Sequence, residues 1–108
     1  WVIGTPVYMG NVSGQLKLLL DRMYGFMGPN RENRLPSGKK VVVAITQGAD
    51  EECHKELPDQ IAALLERRGL EARIIRACNM PVAAPVPEFS QSIKEEAAAL
   101  GRWLASAL

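Results

Sequence analysis

Hydrophobic positions along the 108 residues fall into two alternating patterns. Short apolar runs occur at Val2-Ile3-Gly4-Thr5, closed by Pro6, and at Val41 to Ile45, introduced by Lys39-Lys40 and followed by Thr46. A third run, Glu71-Ala72-Arg73-Ile74-Ile75-Arg76, alternates only in part. A continuous β-branched run suits a parallel strand buried on both faces, whereas partial alternation suits an edge strand. Between and after these runs, apolar residues recur at helical spacing. They are Leu16, Leu19, Leu20 and Met23, then Leu57, Ile61, Leu64 and Leu65, then Ile93, Ala97, Leu100 and Leu104 with Trp103 beside them.

Punctuation residues set the boundaries. Asn11 or Ser13 caps the first helix, with Gly14 in its first turn and Gly25 and Gly28-Pro29 as stops. Proline is tolerated only in a first helical turn, so Pro58 starts the second helix and leaves Glu51 to Glu56 as a separate short turn. Arg67, Arg68 and Gly69 end that helix. Ser92 and Glu95 have the spacing of a capping box for the third. Met27 to Gly38 is a long polar loop, and Cys78 to Pro87 is a proline-rich irregular connection.

Strand–helix alternation predicts an α/β fold with a parallel sheet and helical crossovers, as one domain over residues 1–108. Right-handed crossovers stepping one way put the first two helices on the same face, so the third must cover the other. One helix over three strands leaves apolar surface and a bare strand edge. The chain also opens directly in a strand, without an initiator Met. The expectation is that further strands precede Trp1, or that a second subunit supplies the cover.

Composition narrows the function classes. The 47% apolar and 23% charged content is that of an ordinary globular domain. Thirteen Lys and Arg balance twelve Asp and Glu without a basic stripe, so no nucleic-acid partner is expected. No apolar run reaches the roughly 20 residues of a spanning helix, so no membrane partner is expected either. Two distant cysteines, Cys53 and Cys78, read as small buried hydrophobes in a reducing, cytoplasmic compartment, not as a disulfide framework or metal ligands.

The loop after the first strand carries the strongest chemical signal. Thr5-Pro6-Val7-Tyr8-Met9-Gly10-Asn11-Val12-Ser13-Gly14-Gln15-Leu16-Lys17, closing on Asp21-Arg22, sits where open α/β sheets bind ligands, at the carboxyl end of a parallel strand. It closely resembles the second flavin-binding loop of the flavodoxin-like NAD(P)H-dependent FMN reductases, including their iron–sulfur flavoprotein branch. The resemblance implies a flavodoxin-like parallel sheet with helices on both faces, here a three-strand β-α-β-α-β-α portion. It also implies that Thr5, Pro6, Val7, Tyr8, Met9, Gly10 and Asn11 contact an FMN isoalloxazine, mostly through backbone. Thr46-Gln47-Gly48-Ala49 resembles the family's next flavin-side loop, which adds Gln47 and Gly48.

Such a ring needs close backbone approach, which Gly10 allows, and unpaired amides, which Val7 to Asn11 can offer. It also needs a flat or flexible side chain, from Tyr8 or Met9. Asn11 and Ser13 either hydrogen-bond the pyrimidine edge or cap the helix. Lys17, Asp21 and Arg22 read as loop support, subunit contacts or a solvated helix face. The family's phosphate-holding loop and the cysteine cluster of its iron–sulfur branch have no counterpart in these residues, so they are expected to bind FMN weakly alone.

The implied function is an FMN-dependent NAD(P)H oxidoreductase passing electrons to flavin, quinone or a similar acceptor, as a homodimer or homotetramer. The alternative is an electron-transfer iron–sulfur-type flavoprotein without its own NAD(P)H reaction. No side chain is assigned as catalytic acid or base, and none as a metal ligand. His54, among Glu51, Glu52 and Glu56, reads as a solvated helix start. Arg31 and Arg34 read as surface charge, or as contacts to a nicotinamide phosphate. Trp103 and Leu104 read as core or subunit interface.

Overall fold

The computed structural model describes residues 1–81 and 88–106. Its elements are β1 (Val2–Pro6), α1 (Gly14–Arg22), a 3-10 turn (Met23–Phe26), β2 (Lys40–Thr46), α2 (Leu57–Glu66), β3 (Glu71–Ala77) and α3 (Gln91–Ala105). The three strands form one parallel sheet in the order β1-β2-β3, so the α/β reading holds. β2 lies in the centre, and Val41, Val42, Val43 and Ile45 are all buried, as its unbroken apolar run requires.

Register fixes the layers. Val43 pairs with Ile3 and Ile74, and Val42 pairs with Val2 and Arg73. Ile3, Val41, Val43, Ile45 and Ile74 face a core filled by Leu16, Met23, Leu57, Ile61 and Leu65 from α1, its following turn and α2. Alternation sends Ala44 and Ile75 to the opposite face, where Ile93 and Ala97 of α3 border the same shallow apolar groove. The first two helices therefore share a face and α3 takes the other, as the crossover rule predicts.

The coverage is uneven. No described residue of α3 is buried, and the helix packs chiefly on β2 and β3. Lys40 donates its ammonium to the Trp103 carbonyl at 2.9 Å, and the Trp103 ring lies 4.3 Å from the Arg73 guanidinium carbon. Trp1 and Val2 are exposed, and β1 has no strand on its outer edge among the described residues.

Three boundaries differ from the sequence reading. β1 runs on through Pro6, because only its missing amide matters and the next amide, Val7 N, already donates to Thr46 O at 3.0 Å. The first helix ends at Arg22, and the chain tightens into a 3-10 turn that passes through Gly25 instead of stopping there. Ser90, not Ser92, caps α3: its Oγ accepts from Ile93 N at 3.2 Å, which leaves Ser92 inside the helix. The irregular connection proposed for Cys78 to Pro87 lies partly outside the described residues.

Leu65 is fully buried between α2 and the sheet. Leu65→Ala is expected to lower stability by about 2–5 kcal/mol, read as a drop in the urea midpoint at unchanged slope.

Candidate functional site

Pro6, Thr46 and Ala77 lie in one row across the sheet. Three loops therefore leave it at the same level, and they meet.

The loop after β1 is a two-residue turn. Tyr8 N donates to Asn11 O at 2.9 Å and Asn11 N donates back to Tyr8 O at 3.0 Å. Both central residues have positive φ, Met9 at 49° and Gly10 at 78°. This is the pattern of a type I′ turn, which favours Asn-Gly or Gly-Gly. Methionine at the first position is strained, and its side chain stands fully in solvent at the tip. Tyr8, beside it, is 62% exposed.

The base of this loop is braced from within. Thr5, 4% exposed, accepts from Ser13 N at 3.0 Å through its hydroxyl oxygen and donates to Pro6 O. Ser13 Oγ accepts from Leu16 N at 3.2 Å, so Ser13 is the helix cap. Asn11 uses its Oδ1 on Val12 N. Amides of Val7, Tyr8 and Asn11 are already taken. The expectation of free amides from Val7 to Asn11 therefore narrows to Met9 and Gly10, which have no acceptor among the described residues. Lys17 and Asp21 form an exposed pair along α1.

Gln47 organises the loop after β2. It is 4% exposed, and its Nε2 donates to Asp50 O at 2.7 Å and Cys53 O at 3.0 Å, with a longer contact to Ala49 O. Its Oε1 is buried without a donor. Arg76 of β3 adds a 2.8 Å bond to Glu51 O. The amides of Gly48, Ala49 and Asp50 find no acceptor among the described residues. The loop after β3 is pinned to this one, Asn79 N donating to Ala49 O and Met80 N to Gln47 O.

His54 was missed in the sequence. It has φ 59°, and a methyl group built on Gly10 would lie 3.4 Å from its Cε1. The imidazole is exposed just before α2, as a solvated helix start would be, and it also lies beside the β1 loop. Among the described residues, four other than glycine have positive φ, and three of them, Met9, His54 and Asn79, occupy the three loops of this row. Such conformations cost on the order of 1–3 kcal/mol and cluster at functional sites. His54 and Asn79 belong to residue types with a left-handed tendency that sequence reading could have used, whereas Met9 does not.

Cys53 is exposed, not the buried hydrophobe expected. The Asp50 charge pushes its thiol above the ordinary range, helped by partial desolvation, a hydrogen bond that the thiol donates to Asp50 and the Glu52 charge. Arg31 and Arg34 do not join the site. Their loop is tied by Asn33 to Arg68 O at 2.6 Å, at the amino end of β3. A groove of about 380 Å³ bordered by Leu20, Tyr24, Leu64 and Arg67 also lies away from the three loops.

In doubly wound α/β proteins, ligands bind beyond the carboxyl ends of the parallel strands, where these three loops gather. Comparison with known proteins agrees. The Flavodoxin_2 family model, described as a flavodoxin-like fold, matches residues 1–104, and the chain belongs to that family. It is also 43% identical over 56 residues to an iron–sulfur flavoprotein of Methanocaldococcus jannaschii. That match takes in 52% of this chain but only 27% of the relative. The kinship implied by the loop wording therefore stands.

Asp50→Asn keeps the Oδ1 acceptor for Glu52 N and Cys53 N but removes the charge. With the carboxylate gone the thiol ionises at lower pH, so iodoacetamide should alkylate Cys53 faster at neutral pH than in the parent. An equal or slower rate would contradict the electrostatic cause.

Proposed function

We propose that this chain forms the isoalloxazine-holding part of an FMN-dependent oxidoreductase that accepts electrons from NAD(P)H and passes them to flavin, quinone or a similar acceptor. The observation that carries the reading is the pair of loops, 7–11 and 47–50, which leave neighbouring strands at their carboxyl ends and in which the amides of Met9, Gly10, Gly48, Ala49 and Asp50 find no acceptor among the described residues. A flat ring with a row of acceptors along one edge matches that donor set. The orphaned Gln47 Oε1 adds a buried acceptor beside it.

In this reading Met9 and Gly10 approach the ring through backbone amides, and Tyr8 or the Met9 side chain lies against its face. Gly48 closes from the neighbouring loop. Pro6, Val7 and Asn11 shape the turn. Thr5 and Gln47 hold the two loops in place from behind, which is how they serve the cofactor despite being buried. Bound FMN would supply the redox chemistry, and these residues bind, orient and exclude water without acting as acid or base.

The exposed apolar side chains of α1, Leu18 and Leu19, suit a homodimer or homotetramer contact. No described helix is long and apolar enough to cross a membrane. Two free cysteines suit a reducing cytoplasm.

A second reading has its own support, in the iron–sulfur flavoprotein that the chain resembles. There the protein would relay electrons without reacting with a nicotinamide. Two measurements on the purified full-length protein divide these readings. Low-micromolar FMN should be quenched in fluorescence on titration, and stopped-flow mixing of the holoprotein with NADPH should bleach the flavin. Quenching without bleaching selects the relay, and no quenching removes both.

A further inference from the structure

The two loops that flank the crevice come from different strands, and His54 is the side chain that joins them. Its exposed ring lies beside Gly10, with Cε1 and Nδ1 at 3.4 and 3.5 Å from where a Cβ would stand. Its backbone is left-handed, and it is held so from both sides. Upstream, Gln47 Nε2 grips the carbonyls of Asp50 and Cys53, and Asp50 Oδ1 accepts from the amides of Glu52 and Cys53. Downstream, Leu57 N donates to His54 O at 3.1 Å. A strained residue persists where its surroundings over-determine it. Here the result is an imidazole aimed back across the crevice at the one residue of the β1 loop that lacks a side chain.

We propose that His54 is a positioning residue of the flavin site, a latch that sets the gap between the β1 and β2 loops. The claim rests on the flavin reading above and goes beyond it. Gly10 is then needed for its φ of 78°, and a methyl group added there would come into contact with the ring. The latch keeps the Met9 and Gly10 amides facing those of Gly48 and Ala49 before any ligand arrives. Such preorganisation raises affinity without adding a contact to the ligand.

His54→Gly separates this role from plain structural support. Glycine adopts φ near 60° without steric strain, and the relief offsets its larger entropy loss on folding, so thermal stability should hold or rise. FMN affinity of the full-length protein should nevertheless fall about tenfold, and the visible band of bound flavin should shift towards that of free FMN. A double-mutant cycle with Gly10→Ala reads the contact itself. The added methyl should weaken FMN binding less in the His54→Gly background than in the parent. Affinity within about twofold of the parent with an unchanged spectrum would overturn the latch, as would affinity and stability falling together or additive effects in the cycle. If the parent protein itself leaves FMN fluorescence unquenched, the flavin reading fails first. The His54 proposal then falls with it, and the two failures are told apart by which protein shows the loss.

Discussion

The register of β2 against its neighbours is the constraint on which the rest depends. With Pro6, Thr46 and Ala77 in one row, three loops start level and can brace one another. A slip of one residue would turn Val41, Val43 and Ile45 away from α1 and α2. It would also carry Val7 N off Thr46 O and Gln47 N off Ala77 O, the bonds that seat the first two loops. Core and crevice are set by the same alternation. The residues that face the core hold the sheet, and the ends of the same strands fix where the unpaired loop amides stand.

Polar side chains at the base of the loops serve the loops first. Thr5 and Gln47 were expected to touch a ligand, yet each is buried and spends its hydrogen bonds on the neighbouring backbone. Their order of importance is thereby changed rather than lost. A loop of exposed amides without such internal ties would sample many shapes, and each would have to be given up on binding. Strain at Met9, His54 and Asn79 fits the same picture, since all three are fixed by tight local bonding.

Much of the fold could be read from the sequence, because its signals were local. The apolar run of β2, Pro58 near the start of α2, Gly69 after its end and the helical spacing of Leu57, Ile61 and Leu65 each act within a few residues. The loop wording after β1 pointed to the family for the same reason. What escaped depends on distance in sequence or on small choices between neighbours. Ser90 and Ser92 are both plausible caps by type, and only the direction of the entering chain decides. His54 meets Gly10 across 44 positions of sequence, and nothing in its polar surroundings announces the turn that brings it there. The exposure of Cys53 follows from that same turn.

The far side of the sheet tells a different story. α3 contributes no buried residue, and its grip includes the Lys40 ammonium on the Trp103 and Ser106 carbonyls and the Trp103 indole against Arg73. Cationic anchors of this kind weaken as ions crowd the surface, whereas the oily contacts under α1 and α2 do not. Brine would therefore loosen one wall of the molecule while leaving the other shut. In that half-open form Ala44 and Ile75 would meet water, and the protein would turn sticky before it had unfolded.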